Sequence, residues 1–189
     1  ARDDAALSQR GRNNGAPLRY DDLPSHLVQA VVAIEDRRFF SHYGLDPRGL
    51  ARAMFANLRA GRFVQGGSTL TQQLAKNVFL TPDRTFKRKV QELLLAFWME
   101  ARLSKQEIMA LYFNRVYFGA GAYGVQAAAQ TYFARPAQEL TLPEAAILAG
   151  LLKAPSRYAP TRDPEAAVLR ARQVLKAMTQ TGYLAQAQA

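Results

Sequence analysis

The sequence contains no cysteine and only two histidines, His26 and His42. The first absence excludes disulfides, thiolate metal sites and a cysteine nucleophile. The second leaves no histidine-rich zinc site, so any metal would be a hard cation held by oxygen ligands. Acidic residues are scarce too: 15 Asp and Glu against 25 Lys and Arg give a net charge of +10. Most of the excess is arginine, whose planar fork suits phosphate and carboxylate, so an anionic partner is implied. Long apolar runs are missing as well. The longest, Leu93–Met99 and Ala145–Leu152 (including Gly150), fall far short of the roughly 20 residues that span a bilayer. The chain begins at Ala1, without a start methionine or signal-like segment, and reads as an excised piece.

What is present is a chain of 189 residues, 49% of them hydrophobic, with no low-complexity tract or internal repeat. That length suits one domain with a sizeable core. Helix starts punctuate it. Pro24 precedes Leu27, Val31 and Ile34 at helical spacing. Asp46-Pro47 places a capping acid before a first-turn proline, Leu50, Met54 and Leu58 follow, and Gly61 stops the run. Ser68 can cap a helix through Leu70 and Leu74, and Thr81-Pro82 opens what reads as the longest helix, about 83–102. Ser104 with Glu107 and Thr141 with Glu144 form capping boxes, and Asp163-Pro164 opens the last helix. Nothing alternates with period two over a useful length, so the expected fold is all-α.

Three segments carry candidate chemistry. In Glu35-Asp36-Arg37-Arg38-Phe39-Phe40, adjacent carboxylates end an apolar helix beside two aromatics. Partial desolvation there raises a carboxylate's pKa and suits a general base; the alternative is a helix-end acid paired with Arg38. In Gly66 to Asn77, paired glycines and a helix N-terminus with hydroxyls make an anion site, without P-loop spacing. Lys87-Arg88-Lys89 puts three cations into a first helical turn, against the helix dipole, which favours a nearby anion. Together Glu35, Glu92 and the cations suit sugar transfer from a phosphate leaving group. His42 reads as a structural histidine and His26 as an exposed one. The stripe Leu93, Leu94, Leu95, Phe97, Trp98 and Met99 reads as core, as do Tyr112, Tyr117, Phe118, Tyr132 and Phe133.

Five blocks in order carry a resemblance over about 18–184: Glu35 to Gly44; Gly67 to Asn77; Arg88 to Glu92; Ile108 to Gly119; and Ala128 to Gly150. Together they resemble the family 51 glycosyltransferases, the peptidoglycan polymerase domains of class A penicillin-binding proteins and monofunctional transglycosylases. The one departure is Phe113, where the family usually has leucine. The resemblance implies a lysozyme-like helical head with a small membrane-facing jaw at about 45–67. It also implies a flexible lead-in over 1–17 and a tail over 185–189 toward a transpeptidase domain. The implied reaction polymerises lipid II into β-1,4 glycan with inversion, releasing polyprenyl diphosphate, at the periplasmic face of a bacterial inner membrane. By position, Glu35 would be the general base, and Lys76, Arg88 and Lys89 would hold the donor diphosphate. Glu92 would assist catalysis and is the candidate ligand for Mg²⁺ or another divalent cation. Ser68, Thr69, Gln73, Asn77 and Asn114 would bind substrate, with Asp36, Phe39 and His42 shaping the base's surroundings. The implied partners are lipid II, the growing glycan strand and the membrane surface, with a transmembrane anchor in the parent chain and no nucleic acid.

Two rival readings stand beside this one. A lysozyme-like glycosidase would need a carboxylic acid to protonate a sugar leaving group, whereas a diphosphate needs cations instead. A non-catalytic basic module binding membrane or nucleic acid would gather its cations on one face, yet here arginines are scattered from Arg2 to Arg172.

Overall fold

A computed structural model describes residues 17–62, 66–80 and 85–186 of the chain. Among the described residues the elements are nine α-helices: α1 (Ser25–Glu35), α2 (Pro47–Ala60), α3 (Leu70–Phe79), α4 (Phe86–Glu100), α5 (Lys105–Arg115), α6 (Val125–Phe133), α7 (Leu142–Leu151), α8 (Pro155–Tyr158) and α9 (Pro164–Gln180), with three 3₁₀ turns. The all-α expectation holds. The capping residues behave as their chemistry requires. Ser104 and Thr141 each close a capping box, with Glu107 and Glu144, and Asp163 accepts from the Ala166 N–H. The α3 cap is Thr69, not Ser68: its Oγ1 accepts from the Gln72 N–H at 3.2 Å. Asp46 precedes α2 but faces Arg38 at 3.4 Å instead of capping. The expected start of α4 at Thr81-Pro82, residues 1–16 of the expected 1–17 lead-in, residues 63–65 of the expected jaw and residues 187–189 of the expected tail lie outside the described residues. The longest described helix is α9, with 17 residues, rather than α4, with 15.

Two packed groups make up the head. In one, α1, α7 and α9 lie against one another; in the other, α3 packs on α4 and α5, and α6 joins α5 to α7. Helix α7 is apolar nearly all round and buries Ala145, Ala146, Leu148, Ala149, Gly150 and Leu151, as a central helix must. Leu27, Val31, Tyr112, Phe113, Phe118, Val174 and Met178 complete the core. His26 is not simply exposed: its Nε2 lies 2.7 Å from the Leu140 carbonyl and ties α1 to the approach of α7.

The expected core stripe on α4 is only partly core. Ala96 and Met99 are buried, but Leu94 and Trp98 are 62% and 48% exposed, continuing a line from Phe86, at 85%, through Val90. The side chains step by four residues, so one edge of α4 stays apolar and uncovered. Helix α2 is the second exception. It buries only Gly49 and Ala53, leaves Leu50, Met54, Phe55 and Leu58 exposed, and makes at most marginal contact with any other helix. A groove of about 580 Å³ runs beside it, lined by Leu50, Ala53, Met54, Asn57, Leu58, Gly61, Arg62 and Gly67.

Candidate active site

The site begins where α1 ends. Glu35 is the last residue of α1 and Asp36 its C-cap. The negative end of a helix is an unfavourable place for two adjacent carboxylates, and each is dealt with differently. Asp36 is buried and faces away into polar partners: its carboxylate accepts from the Leu70 N–H at 3.0 Å and lies 2.9 Å from His42 Nε2. The positive N-terminus of α3 therefore meets the carboxylate at the end of α1. Around this joint, Gly44 adopts φ +65°, and a Cβ there would sit 3.0 Å from the Phe97 ring. Its carbonyl consequently accepts from Thr69 Oγ1 at 2.8 Å and Gln72 Nε2 at 3.2 Å, fastening the 42–46 turn to α3.

Glu35 takes the other course. Its Oε2 accepts from Gln73 Nε2 at 3.0 Å, and Gln73 Oε1 accepts in turn from the Tyr112 hydroxyl at 3.1 Å. Tyr112 is buried, and burial followed by the nearby Glu35 and Asp36 charges pushes its pKa well above the ordinary tyrosine value, so it stays a donor and fixes the Gln73 amide. The Glu35 pKa is raised. Burial is the main cause and Asp36 adds to it, while the Gln73 hydrogen bond, Arg170 and Lys153 oppose it. Burial here is local: the side chain keeps partial solvent access along a cleft of about 530 Å³. That cleft is lined by Ile34, Glu35, Arg37, Arg52, Gly66, Ser68, Gln73, Lys76, Leu152, Lys153 and Arg170. A single carboxylate thus shares a cavity with five cations.

Next to the cleft lies a second polar cluster, joined to it through Ser68. Lys89 Nζ donates to Ser68 Oγ at 2.8 Å, to Gln72 Oε1 at 3.3 Å and to Glu92 Oε2 at 2.8 Å. Arg88 Nη1 donates to the other oxygen of Glu92, which is only 4% exposed. The Lys89 pKa is lowered, first by burial, then by Arg88 and Lys76. Three cations gathered this closely are strained by one another and relieved by an added anion.

The structure brings Glu35, Gln73, Ser68 and Lys76 together in the cleft, with Lys89, Arg88 and Glu92 adjoining it. Asn77 is exposed on α3, one turn beyond Gln73. Several other predicted contacts are occupied elsewhere. Thr69 is buried as the α3 cap, and Phe39 is wholly buried with Lys105 Nζ 4.5 Å above its ring. Asp36 and His42 lie beneath the site and position it; none of these three or Thr69 offers surface to a ligand. Asn114 is corrected most clearly. Its amide holds Leu18, accepting from the N–H at 3.0 Å and donating to the carbonyl at 2.8 Å, and donates also to Ala110 O at 2.7 Å. The alternative pairing of Glu35 with Arg38 is not seen, since Arg38 faces Asp46. Both oxygens of Glu92 accept from cationic donors, Arg88 and Lys89, so the carboxylate expected to hold a divalent cation is engaged with α4's own cations here. Sequence reasoning missed Arg170 and Lys153, which reach the cleft from α9 and the turn after α7. It missed Arg37 and Arg52 as cleft residues as well.

This arrangement separates residues that build the site from residues that face it. Asp36→Ala strands the Leu70 N–H and His42, each worth about 1–3 kcal/mol when left unsatisfied. Urea denaturation of that variant should show a clear loss of stability, whereas Lys76→Ala, on an exposed position, should unfold close to the parent.

The comparisons with known proteins follow the same lines. A family model described as Transglycosylase matches residues 3–179. Penicillin-binding protein 1A of Aquifex aeolicus (strain VF5) is 54% identical over 164 residues, covering 87% of this chain and 23% of that protein. Penicillin-binding protein 1A of Escherichia coli (strain K12) is 46% identical over 186 residues, covering 98% of this chain and 22% of that protein. The crystal structure of penicillin-binding protein 1A from Haemophilus influenzae superposes with a TM-score of 0.53 at 25% identity, covering 94% of this chain and 17% of that one. The chain thus spans about a sixth to a quarter of the length of these relatives, and its all-α architecture matches a lysozyme-like transglycosylase fold. The chain belongs to the transglycosylase family.

Proposed function

We propose that this chain is a peptidoglycan glycosyltransferase domain that polymerises lipid II into β-1,4 glycan strands with inversion, releasing polyprenyl diphosphate. The observation that carries the reading is the pairing of one desolvated carboxylate, Glu35, with a cation-rich cleft. Glu35 accepts the proton of the acceptor 4-hydroxyl as that oxygen bonds to the donor's anomeric carbon. The bond from that carbon to the diphosphate oxygen breaks, and the diphosphate leaves with the electron pair, its charge met by Lys76, Lys89 and Arg88. Gln73 and Tyr112 orient the base. Glu92 orients the two cations of α4, whose side chains would otherwise repel one another. The glycosidase alternative is less well supported. It needs a second carboxylate in the cleft to activate water or attack the sugar, and the cleft's lining offers Glu35 alone while Glu92 is held by Arg88 and Lys89.

The substrate's polyprenyl tail keeps it in the bilayer, so the cleft must work close to a membrane surface. No described helix is long and apolar enough to cross a membrane. The uncovered face of α2, with Phe55 and Leu58 exposed, Arg48, Arg52 and Arg59 on the same helix and Arg62 just beyond it, suits an interfacial jaw. The parent chain on this reading carries an anchor and a transpeptidase domain and works at the outer face of the inner membrane.

Three outcomes follow. Glu35→Gln should lower polymerisation of lipid II by about 10²–10⁴-fold while circular dichroism stays unchanged; near-normal turnover removes Glu35 as the base. Lys76→Ala should reduce turnover at unchanged melting temperature, as read by product gels and thermal scans. Phe55→Ser combined with Leu58→Ser should weaken liposome flotation and turnover. Exposed positions contribute within about 0.5 kcal/mol, so the same double variant should hold its melting temperature. A drop of several degrees with liposome binding intact would make α2 a core element instead.

A further inference from the structure

Among the five cations of the cleft, Arg170 differs from the rest. It is 8% exposed, whereas Arg52, Lys76 and Lys153 are exposed and Arg37 is partly so. Burying a guanidinium is costly unless each donor finds a partner. Arg170 Nη1 donates to Gln173 Oε1 at 2.8 Å, but Nε is buried without a hydrogen-bond partner, and no carboxylate lies within ion-pair distance of it among the described residues. Its place is nevertheless enforced by packing. Gly150 of α7 faces it, and a Cβ on Gly150 would come within 2.9 Å of Arg170 Cγ. Gly150 is the next-to-last residue of α7, and its missing side chain leaves the room through which the Arg170 stem passes. Glu35 is the acidic residue that lines the same cleft as this cation.

We propose that Arg170, together with Lys153 on the turn after α7, is a positioning residue for the reaction, holding the Glu35 carboxylate in the ionised form that accepts a proton. The inference rests on the reading of Glu35 as the base. The charged and titratable groups around that carboxylate are few. Asp36 on its own segment opposes ionisation, as does burial; Gln73 of α3 donates to it; Tyr112 of α5 acts through Gln73; Lys153 and Arg170 favour ionisation from the α7 and α9 side. Arg37, Arg52 and Lys76 line the same cleft. Removing a neighbouring cation makes the carboxylate harder to ionise, so the rising limb of activity against pH moves to higher pH. Below that limb the variant is slow, and above it the rate returns. A residue that only supported the fold would scale the whole profile down without moving it.

The test measures kcat/KM for glycan polymerisation across pH, alongside carbon-13 NMR titration of the Glu35 carboxyl, which needs no turnover. For Arg170→Gln the titration midpoint and the rate limb should both move up by about one unit, the lower end of what a nearby opposite charge supplies. Arg170→Lys should stay near the parent. Lys153→Gln, at an exposed position that leaves folding intact, should move both in the same direction by less, and it decides the matter if Arg170→Gln does not fold. A carboxyl midpoint that stays put in the glutamine variants overturns the proposal. A midpoint that moves while the rate limb stays leaves the electrostatic role standing and removes Glu35 as the base.

Discussion

The carboxylate of Asp36 is the joint on which the site is built. It ends α1, receives the first N–H of α3 and is held by His42, so two helix termini of opposite polarity meet at one buried charge. Because α3 is fixed there, Gln73 falls one turn further along, beside the preceding carboxylate, Glu35. Neighbouring residues of one helix end thus have opposite fates. One carboxylate is spent on structure, and the other is left desolvated at the edge of a cavity. The Gly44 carbonyl, gripped by Thr69 and Gln72, keeps the turn between α1 and α2 from pulling this joint apart.

Charge is distributed around the joint in two tiers. Lys89 and Arg88 are braced by Glu92 and Lys89 reaches Ser68, while Lys153 and Arg170 line the cleft with Glu35. The first tier suits a leaving group that departs with negative charge. The second acts on the protein's own carboxylate, which must stay ionised in a place where burial favours its protonation.

Much of this was legible in the sequence, for local reasons. The helix starts at Ser104, Thr141 and Asp163 follow from side chains bonding backbone within three residues, and that chemistry needs no tertiary context. Glu35 stood out by its position at a helix end and Lys89 by its charge against a dipole, while Lys76 came from the resemblance. What could not be read were contacts made across the chain. Thr69, Asn114 and Phe39 look like ligand contacts in a motif, but Gly44, Leu18 and Lys105 claim them from distant segments. Arg170 carries no local signal at all, since its significance depends on Gly150 of another helix. The stripe on α4 failed for a related reason. Periodicity marks a face as apolar without saying whether anything covers it, and Leu94 and Trp98 remain open.

The central claim is a division of labour between the cleft and the cluster beside it, with Glu35 serving the acceptor and the Lys76, Lys89 and Arg88 group serving the leaving diphosphate. A crystal structure with a phosphonate analogue of the donor and an unreactive acceptor tests it most directly. The account predicts the analogue's charged oxygens against Lys76 and Lys89, and the acceptor hydroxyl within hydrogen-bond distance of a Glu35 carboxylate oxygen. An analogue seated instead against Arg37 and Arg52, with Glu35 turned away from both sugars, would contradict it.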